Sequence, residues 1–447
     1  MIEFSAIIIG DGLVSCLTAD ALAEQGFSVL ILGQEKAIEP AFTHNFSTFQ
    51  SGLFQAQRLS INEINKLCIG DDDFDPKKYQ YLLNIKGSRE KLNHLLHINF
   101  RNSNKYINEK NGIVKFNRKN ERMSLSEEKH LKLLDILGYP DFNENVNKNN
   151  IKSLLWSDYK IESSDSFYYV PDTTMEIDEI VFDLWNTFVY RNYSSPGLLY
   201  YINFNDYDIY NENGAYKIKF SEDIIQTNCL ILCAGRNNIN LLDKLGHNLN
   251  DLQSSAYFVN KYKQDLEINT PLFCDFSNIN AGYPSAISFH KNAILSMSSP
   301  ISTLSKDELR YGEYNGFSNL INKKSDEVDT YMKDLNSKIQ ITNASTNDCL
   351  RKYPLPDLID QKICVNTYRN IPYSEFIQST ADGIYVANSG LSTASFGTSE
   401  RLVQIIKDEG LIKLNSINLN SITPNLKELI DRSINKLIHF KNIITNN

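Results

Sequence analysis

Six residues near the N-terminus, Gly10-Asp-Gly-Leu-Val-Ser15, set two glycines and a small hydroxyl residue at GxGxxS spacing. This pattern is chemistry for phosphate: Gly10 permits a tight turn and Gly12 lets backbone approach a pyrophosphate. Ser15 is small enough for close helix–strand packing. The backbone of Asp11, Leu13 and Val14 belongs to the same cradle, where a helix N-terminus presents free N–H groups to an anion.

The elements needed to position that turn flank it in frame. Phe4–Ile9 is short, apolar and β-branched, as a buried strand requires. Cys16–Gln25 reads as a helix with Leu17, Ala21 and Leu22 on one face and Gly26 as its stop. Ser28–Leu32 is a second buried strand. A βαβ unit with this turn predicts a dinucleotide site. One position departs from the pattern. The acid that ordinarily ends the second strand and holds the adenosine ribose is replaced by Gly33, and the next acid is Glu35. Either Glu35 reaches the ribose from a bent loop, or backbone and Gln34 do so.

Other chemistries find little support. The seven cysteines (16, 68, 229, 233, 274, 349 and 364) are scattered and form no CxxC. That pattern indicates free thiols in a reducing compartment and no metal site, with Cys229 and Cys233 read as small core residues. His94 and His97 are three apart, but no third ligand lies near them in sequence. The net charge of −9 disfavours nucleic acid and anionic membrane as partners. No apolar stretch approaches the roughly 20 residues of a membrane span. The N-terminal segment carries Glu3, Asp11, Asp20 and Glu24, which a secretory h-region would not tolerate. The expected location is the cytoplasm.

Further motifs share one likeness. Ala41–Phe54 includes Thr43-His-Asn45 and Ser51-Gly-Leu-Phe54. Tyr169–Asp178 leads into the apolar-periodic Ile180–Val189, followed by a strand around 200–204 and a hairpin turning at Asn213-Gly214. Cys229–Arg236 is an apolar strand ending in Ala234-Gly235, and Ala381–Gly390 precedes Ser392–Ser399 and a helix over 400–409. These segments resemble FAD-dependent oxidoreductases of the D-amino acid oxidase superfamily, most closely its hydroxy-acid and amino-acid oxidases. Gln50 stands where some relatives place a histidine.

The resemblance implies FAD as cofactor, with Gly33, Gln34, Glu35, Thr43, His44, Asn45, Ala234, Gly235, Ser389, Gly390, Phe396, Gly397 and Thr398 joining Gly10–Ser15 around it. It implies an α/β fold: a Rossmann-type, glutathione reductase-like FAD domain from residues 1–75, 166–250 and 366–447, ending in a helix over 424–440. A discontinuous mixed-sheet substrate domain would come from 76–165 and 251–365. The stretch 80–165 reads as polar and helix-like. Strand-like runs occur at 256–259, 286–289 and 293–297, and a helix is expected at 325–335.

The resemblance also implies an arginine just before the last strand that pairs with a substrate carboxylate. Arg369 occupies that place, and its planar fork suits a carboxylate. Tyr368 would bond the same group or wall the pocket. His44 would lie near the flavin, as base or hydrogen-bonding loop residue, rather than as a covalent attachment. The implied reaction is oxidation of a C–N or C–O bond beside a carboxylate by hydride transfer to flavin N5, with oxygen or a quinone as acceptor. Glucose–methanol–choline oxidoreductases share the first βαβ unit and similar ending, but 361–382 holds no histidine to match theirs. A nicotinamide dehydrogenase and a non-catalytic nucleotide-binding scaffold are further alternatives.

Overall fold

The computed structural model describes residues 2–446 apart from 34–47, 57–58, 70–75, 101–104, 120, 156–158, 195–198, 204–206, 221, 236–237, 248–251, 264–267, 277–284, 291–292, 298–300, 305–357, 370–374, 381, 390–391, 415–416 and 418–421. Contacts divide the chain into two units. One comprises 1–43, 177–254 and 366–447, and the other 44–176 and 255–365. Segments 44–75 and 166–176, expected with the cofactor-binding pieces, therefore group with the second unit.

The first unit is built on a six-stranded sheet. Its order is Phe376–Ser379, Ile384–Asn388, Leu230–Leu232, Ala6–Ile9, Val29–Gly33, Leu199–Asn203. Pairing is parallel from Ile384–Asn388 onward, and only Phe376–Ser379 runs antiparallel. The central strands are entirely buried, so both faces must be covered, and unbroken runs of Ile, Leu and Val meet that demand. Helix Leu13–Glu24 packs against helices Ser395–Glu409 and Ile177–Ser194. A second sheet joins Ile2–Glu3 to the meander Tyr207–Glu212, Ala215–Phe220 and Asp223–Thr227. Its hairpin turns at Asn213 (φ 55°) and Gly214 (φ 80°), both left-handed as a two-residue turn requires.

The expected helix over 16–25 begins three residues earlier, because the chain turns helical directly after Gly12. The C-terminal helix Pro424–Asn446 packs on strand Leu199–Asn203 and helix Ile177–Ser194, burying Leu426, Ile430 and Ile434. No helix among the described residues is long and apolar enough to cross a membrane.

The second unit holds an eight-stranded mixed sheet. Seven strands follow the order Ile301–Leu304, Leu252–Lys263, Ala293–Met297, Ser285–Phe289, Leu272–Asp275, Gly112–Asn117, Asp165–Val170. Leu358–Arg369 also pairs with Leu252–Lys263. Helices Pro76–Phe100, Glu121–Ile136 and Lys148–Leu154 confirm the helical reading of 80–165 in part. Strand Gly112–Asn117 within that stretch corrects it. Its alternate faces are both buried, so no period-two signal marks it. The helix expected at 325–335 lies outside the described residues.

Candidate dinucleotide-binding site

The first parallel strand ends at Ile9, and the chain then enters a turn that its neighbours confine on one side. Gly10 has φ +117°, and a Cβ there would lie 2.5 Å from the Cys233 carbonyl oxygen. Gly10 N–H donates to the Leu32 carbonyl and Cys233 N–H to that of Ile9, both at 2.9 Å. Gly10 is thus required by the close approach of strand ends. Gly12 is different: it caps the helix in extended conformation, and a Cβ there would meet nothing within 4 Å among the described residues. Gly12 itself has no side chain to cap the helix, and no acid lies in its first turn. Its leading N–H groups keep their capacity for an anion.

Ser15 is fully buried and its hydroxyl points to the Cys233 carbonyl at 3.5 Å, so it serves close packing as its size suggested. Leu13 and Val14 are buried in the first helical turn. The Trp185 indole N–H donates to the Asp11 carbonyl at 2.8 Å and fixes the turn from helix Ile177–Ser194. Asp11 stays partly exposed, yet the protein around its carboxyl raises its pKa to about 7 by desolvation, against the opposing pull of its own backbone N–H.

Two further strand ends reach the same edge of the sheet. After Leu232, Ala234 N–H donates to Asn238 Oδ1 at 2.8 Å, while the Asn238 amide reaches the Ala387 carbonyl at 3.5 Å. Gly235 adopts φ +58°, and a Cβ there would also meet nothing within 4 Å among the described residues. After Asn388, Ser389 and Ser395 share a 3.1 Å hydroxyl contact. Helix Ser395–Glu409 then begins with Phe396, Gly397 and Thr398 and no acid in its first turn. The Thr398 hydroxyl is held by Glu375 at 2.7 Å, and Glu375 also pairs with Arg401. Thr18 Oγ1 donates to Ser399 Oγ at 3.1 Å and ties the two helices together.

Two open glycines and two helix N-termini at the ends of adjacent parallel strands suit an extended diphosphate, so the residues present fit a dinucleotide. The motifs exposed Gly10, Gly12, Ser15, Ala234 and Gly235 to sequence reading. Trp185, Asn238 and Glu375 escaped it, because each acts through a partner more than three residues away and carries no local signature. Gln34, Glu35, Thr43, His44, Asn45 and Gly390 lie outside the described residues. Tyr368 and Arg369 end strand Leu358–Arg369, and their side chains are likewise outside.

In the second unit, the Ser51-Gly-Leu-Phe54 run is anchored by a buried acid that the sequence did not flag. Ser51 donates to Asp172 through its N–H at 2.7 Å and its hydroxyl at 2.8 Å. Arg89 donates to the Pro171 carbonyl at 2.6 Å and covers the Phe49 ring at 4.7 Å. Buried His290 contacts Ser288 Oγ at 3.0 Å and Glu176 at 3.5 Å. Among the described residues no group of His, Cys, Asp and Glu is arranged to hold a metal.

No family model matches the chain, and no curated protein matches it. Solved structures do. Iminodiacetate oxidase from Chelativorans sp. BNC1 is 12% identical with a TM-score of 0.59, over 90% of this chain and 95% of its own. NikD, an amino acid oxidase essential for nikkomycin biosynthesis, is 12% identical with a TM-score of 0.61, over 90% and 94%. Glycerol-3-phosphate dehydrogenase from Bacillus halodurans, solved with FAD, is 10% identical with a TM-score of 0.55, over 91% and 64%. The chain has the α/β fold of these oxidases and dehydrogenases, the fold that its resemblance to the D-amino acid oxidase superfamily implied.

Proposed function

We propose that the protein is an FAD-dependent oxidoreductase acting on a small amino-acid-type substrate. The observation that carries this reading is the pair of open glycines, Gly12 and Gly235, beside an uncapped helix N-terminus on a sheet whose fold is shared with such enzymes. FAD, when bound, would supply the electron sink for oxidation of a C–N or C–O bond. The chain's own residues do the rest. Gly12, Leu13 and Val14 offer backbone N–H groups to the diphosphate, and Gly235 leaves room for it. The dipole of helix Ser395–Glu409 favours negative charge at its start, near Phe396–Thr398. Arg369 holds the substrate carboxylate in a bidentate grip, with Tyr368 and His44 as further pocket groups.

The test begins with colour. Purified protein carries flavin absorbance that is released on denaturation, and Gly12→Val removes it. Anaerobic addition of a panel of amino and hydroxy acids then bleaches the flavin. Arg369→Lys raises the half-saturating concentration of an active acid. Bleaching by alcohols or sugars alone overturns the substrate class. A colourless protein that binds NAD but cannot be reconstituted with FAD overturns the cofactor.

A further inference from the structure

The empty acidic slot at Gly33 is not empty in space. A Cβ on residue 33 would lie 2.6 Å from the Tyr201 hydroxyl oxygen and 2.8 Å from Asp11 Oδ2. Both distances are closer than a real Cβ tolerates. Tyr201 cannot readily withdraw. It is fully buried on strand Leu199–Asn203, with its ring 4.5 Å from that of Trp185, the residue that fixes the Asp11 carbonyl. Gly33 is therefore obligatory once Tyr201 and Asp11 take their places. A side chain at 33 is excluded, and with it the acid that a dinucleotide site ordinarily keeps there.

The chemistry of the slot survives nonetheless. An aspartate or glutamate at residue 33 would carry its carboxylate two or three bonds beyond Cβ. Asp11 Oδ2, 2.8 Å from that Cβ position, lies at such a reach. The acid has changed its strand of origin but stays beside the end of Val29–Gly33. We propose that Asp11 is the residue that binds the vicinal diol of the adenosine ribose, replacing the missing strand-end acid. This rests on the dinucleotide reading of the site. The sequence also offered Gln34 and Glu35, which follow Gly33 in the chain and lie outside the described residues; the Asp11 carboxyl stands against Gly33 itself.

An acid one residue before Gly12 raises an objection, since it would repel the diphosphate that the helix start attracts. Burial answers it: with a pKa raised to about 7, the carboxyl carries only part of its charge at neutral pH. A carboxyl in either protonation state forms a hydrogen bond with a hydroxyl, as acceptor when ionised and as acceptor or donor when neutral.

The experiment measures binding of ADP and 2′,3′-dideoxy-ADP to the full-length protein freed of flavin. It uses wild type, Asp11→Ala and Asp11→Asn, with circular dichroism as the check on folding. Wild type should prefer ADP by about tenfold, the value of a hydrogen bond to a charged or part-charged group. Asp11→Ala should bind the two nucleotides nearly equally. Asp11→Asn, which keeps the size and one acceptor, should show an intermediate preference and carries the test if the alanine variant misfolds. Undiminished preference in both variants overturns the proposal. So does tighter binding of both nucleotides by both variants, which would make Asp11 merely an opponent of the diphosphate. Wild type that holds FAD but does not distinguish the two nucleotides sinks only the ribose assignment. Wild type that binds neither ADP nor FAD sinks the dinucleotide reading with it.

Discussion

Strands Ala6–Ile9 and Gly112–Asn117 are both buried along their whole length, yet they are built on different principles. The first is Ala-Ile-Ile-Ile, and its partner Val29–Gly33 returns after one helix. The second is Gly-Ile-Val-Lys-Phe-Asn, and its partners arrive from Asp165–Val170 and Leu272–Asp275. At its centre Lys115 is buried between Asp165 at 3.5 Å and Asp275 at 3.6 Å. Asp165 is further bonded by Asn117 and by the Glu162 N–H, each at 2.8 Å. The first strand is held by apolar burial, which is visible in any short window. The second depends on a charge network assembled from three distant segments.

That contrast predicts where the molecule is most brittle. Replacing Lys115 by methionine keeps the bulk but leaves two carboxylates buried without their cation. The expected loss is about 3–5 kcal/mol in urea unfolding. Converting Asp165 and Asp275 to asparagine in the same variant should recover much of it. A loss below about 1 kcal/mol for Lys115→Met alone would show that the network is not what holds this strand.

Within the first unit the two glycines of one motif should separate cleanly. Gly10→Ala forces an L-residue to φ +117° and drives Cβ into the Cys233 carbonyl. A loss of about 2–3 kcal/mol is expected, visible without any ligand. Gly12→Ala meets open space at an ordinary backbone conformation and should cost less than about 1 kcal/mol. Its effect belongs to cofactor retention, read as flavin absorbance per mole of protein. Equal stability losses at the two positions would mean that the motif serves only the fold.

The same contrast explains what was legible in the sequence. Gly10, Gly12 and Ser15 could be read because their spacing lies within one βαβ unit, although the group that Gly10 and Ser15 meet is the Cys233 carbonyl of a distant strand end. Ala234-Gly235 could be read because a small-residue break closes an apolar run. Strand Gly112–Asn117 could not, since its lysine suggests solvent until Asp165 and Asp275 are brought beside it. Asp11 was legible for its backbone in the cradle, and Gly33 as a lost acid. Only the fold, by bringing the Asp11 carboxyl and the Tyr201 hydroxyl against Gly33, shows that the two positions are coupled.

His130 gives the second unit a further signature, in pH. It sits on helix Glu121–Ile136, 1% exposed, with its ring 5.1 Å from Phe116 and 6.0 Å from Tyr168. Among the described residues neither ring nitrogen has a hydrogen-bond partner. Desolvation lowers its pKa from 6.5 to about 3, although nearby Glu127 pulls the other way. Glu127 cannot readily supply a proton-accepting partner, because it is already bonded by Arg118 at 2.7 Å and by the Tyr168 hydroxyl at 2.7 Å. Between pH 6.5 and about 3 the unfolded chain therefore binds a proton at this position that the folded chain refuses. Stability must fall as pH falls through that window, by up to about 1.4 kcal/mol for each unit once well below 6.5. Other groups titrate there too, so the measurement is a difference: urea unfolding of wild type and His130→Leu from pH 7 down to pH 4.5. The leucine variant should gain on wild type steadily as pH drops. Parallel curves would mean that His130 finds a way to carry its proton inside the fold, and that its aromatic cage is less closed than the packing indicates.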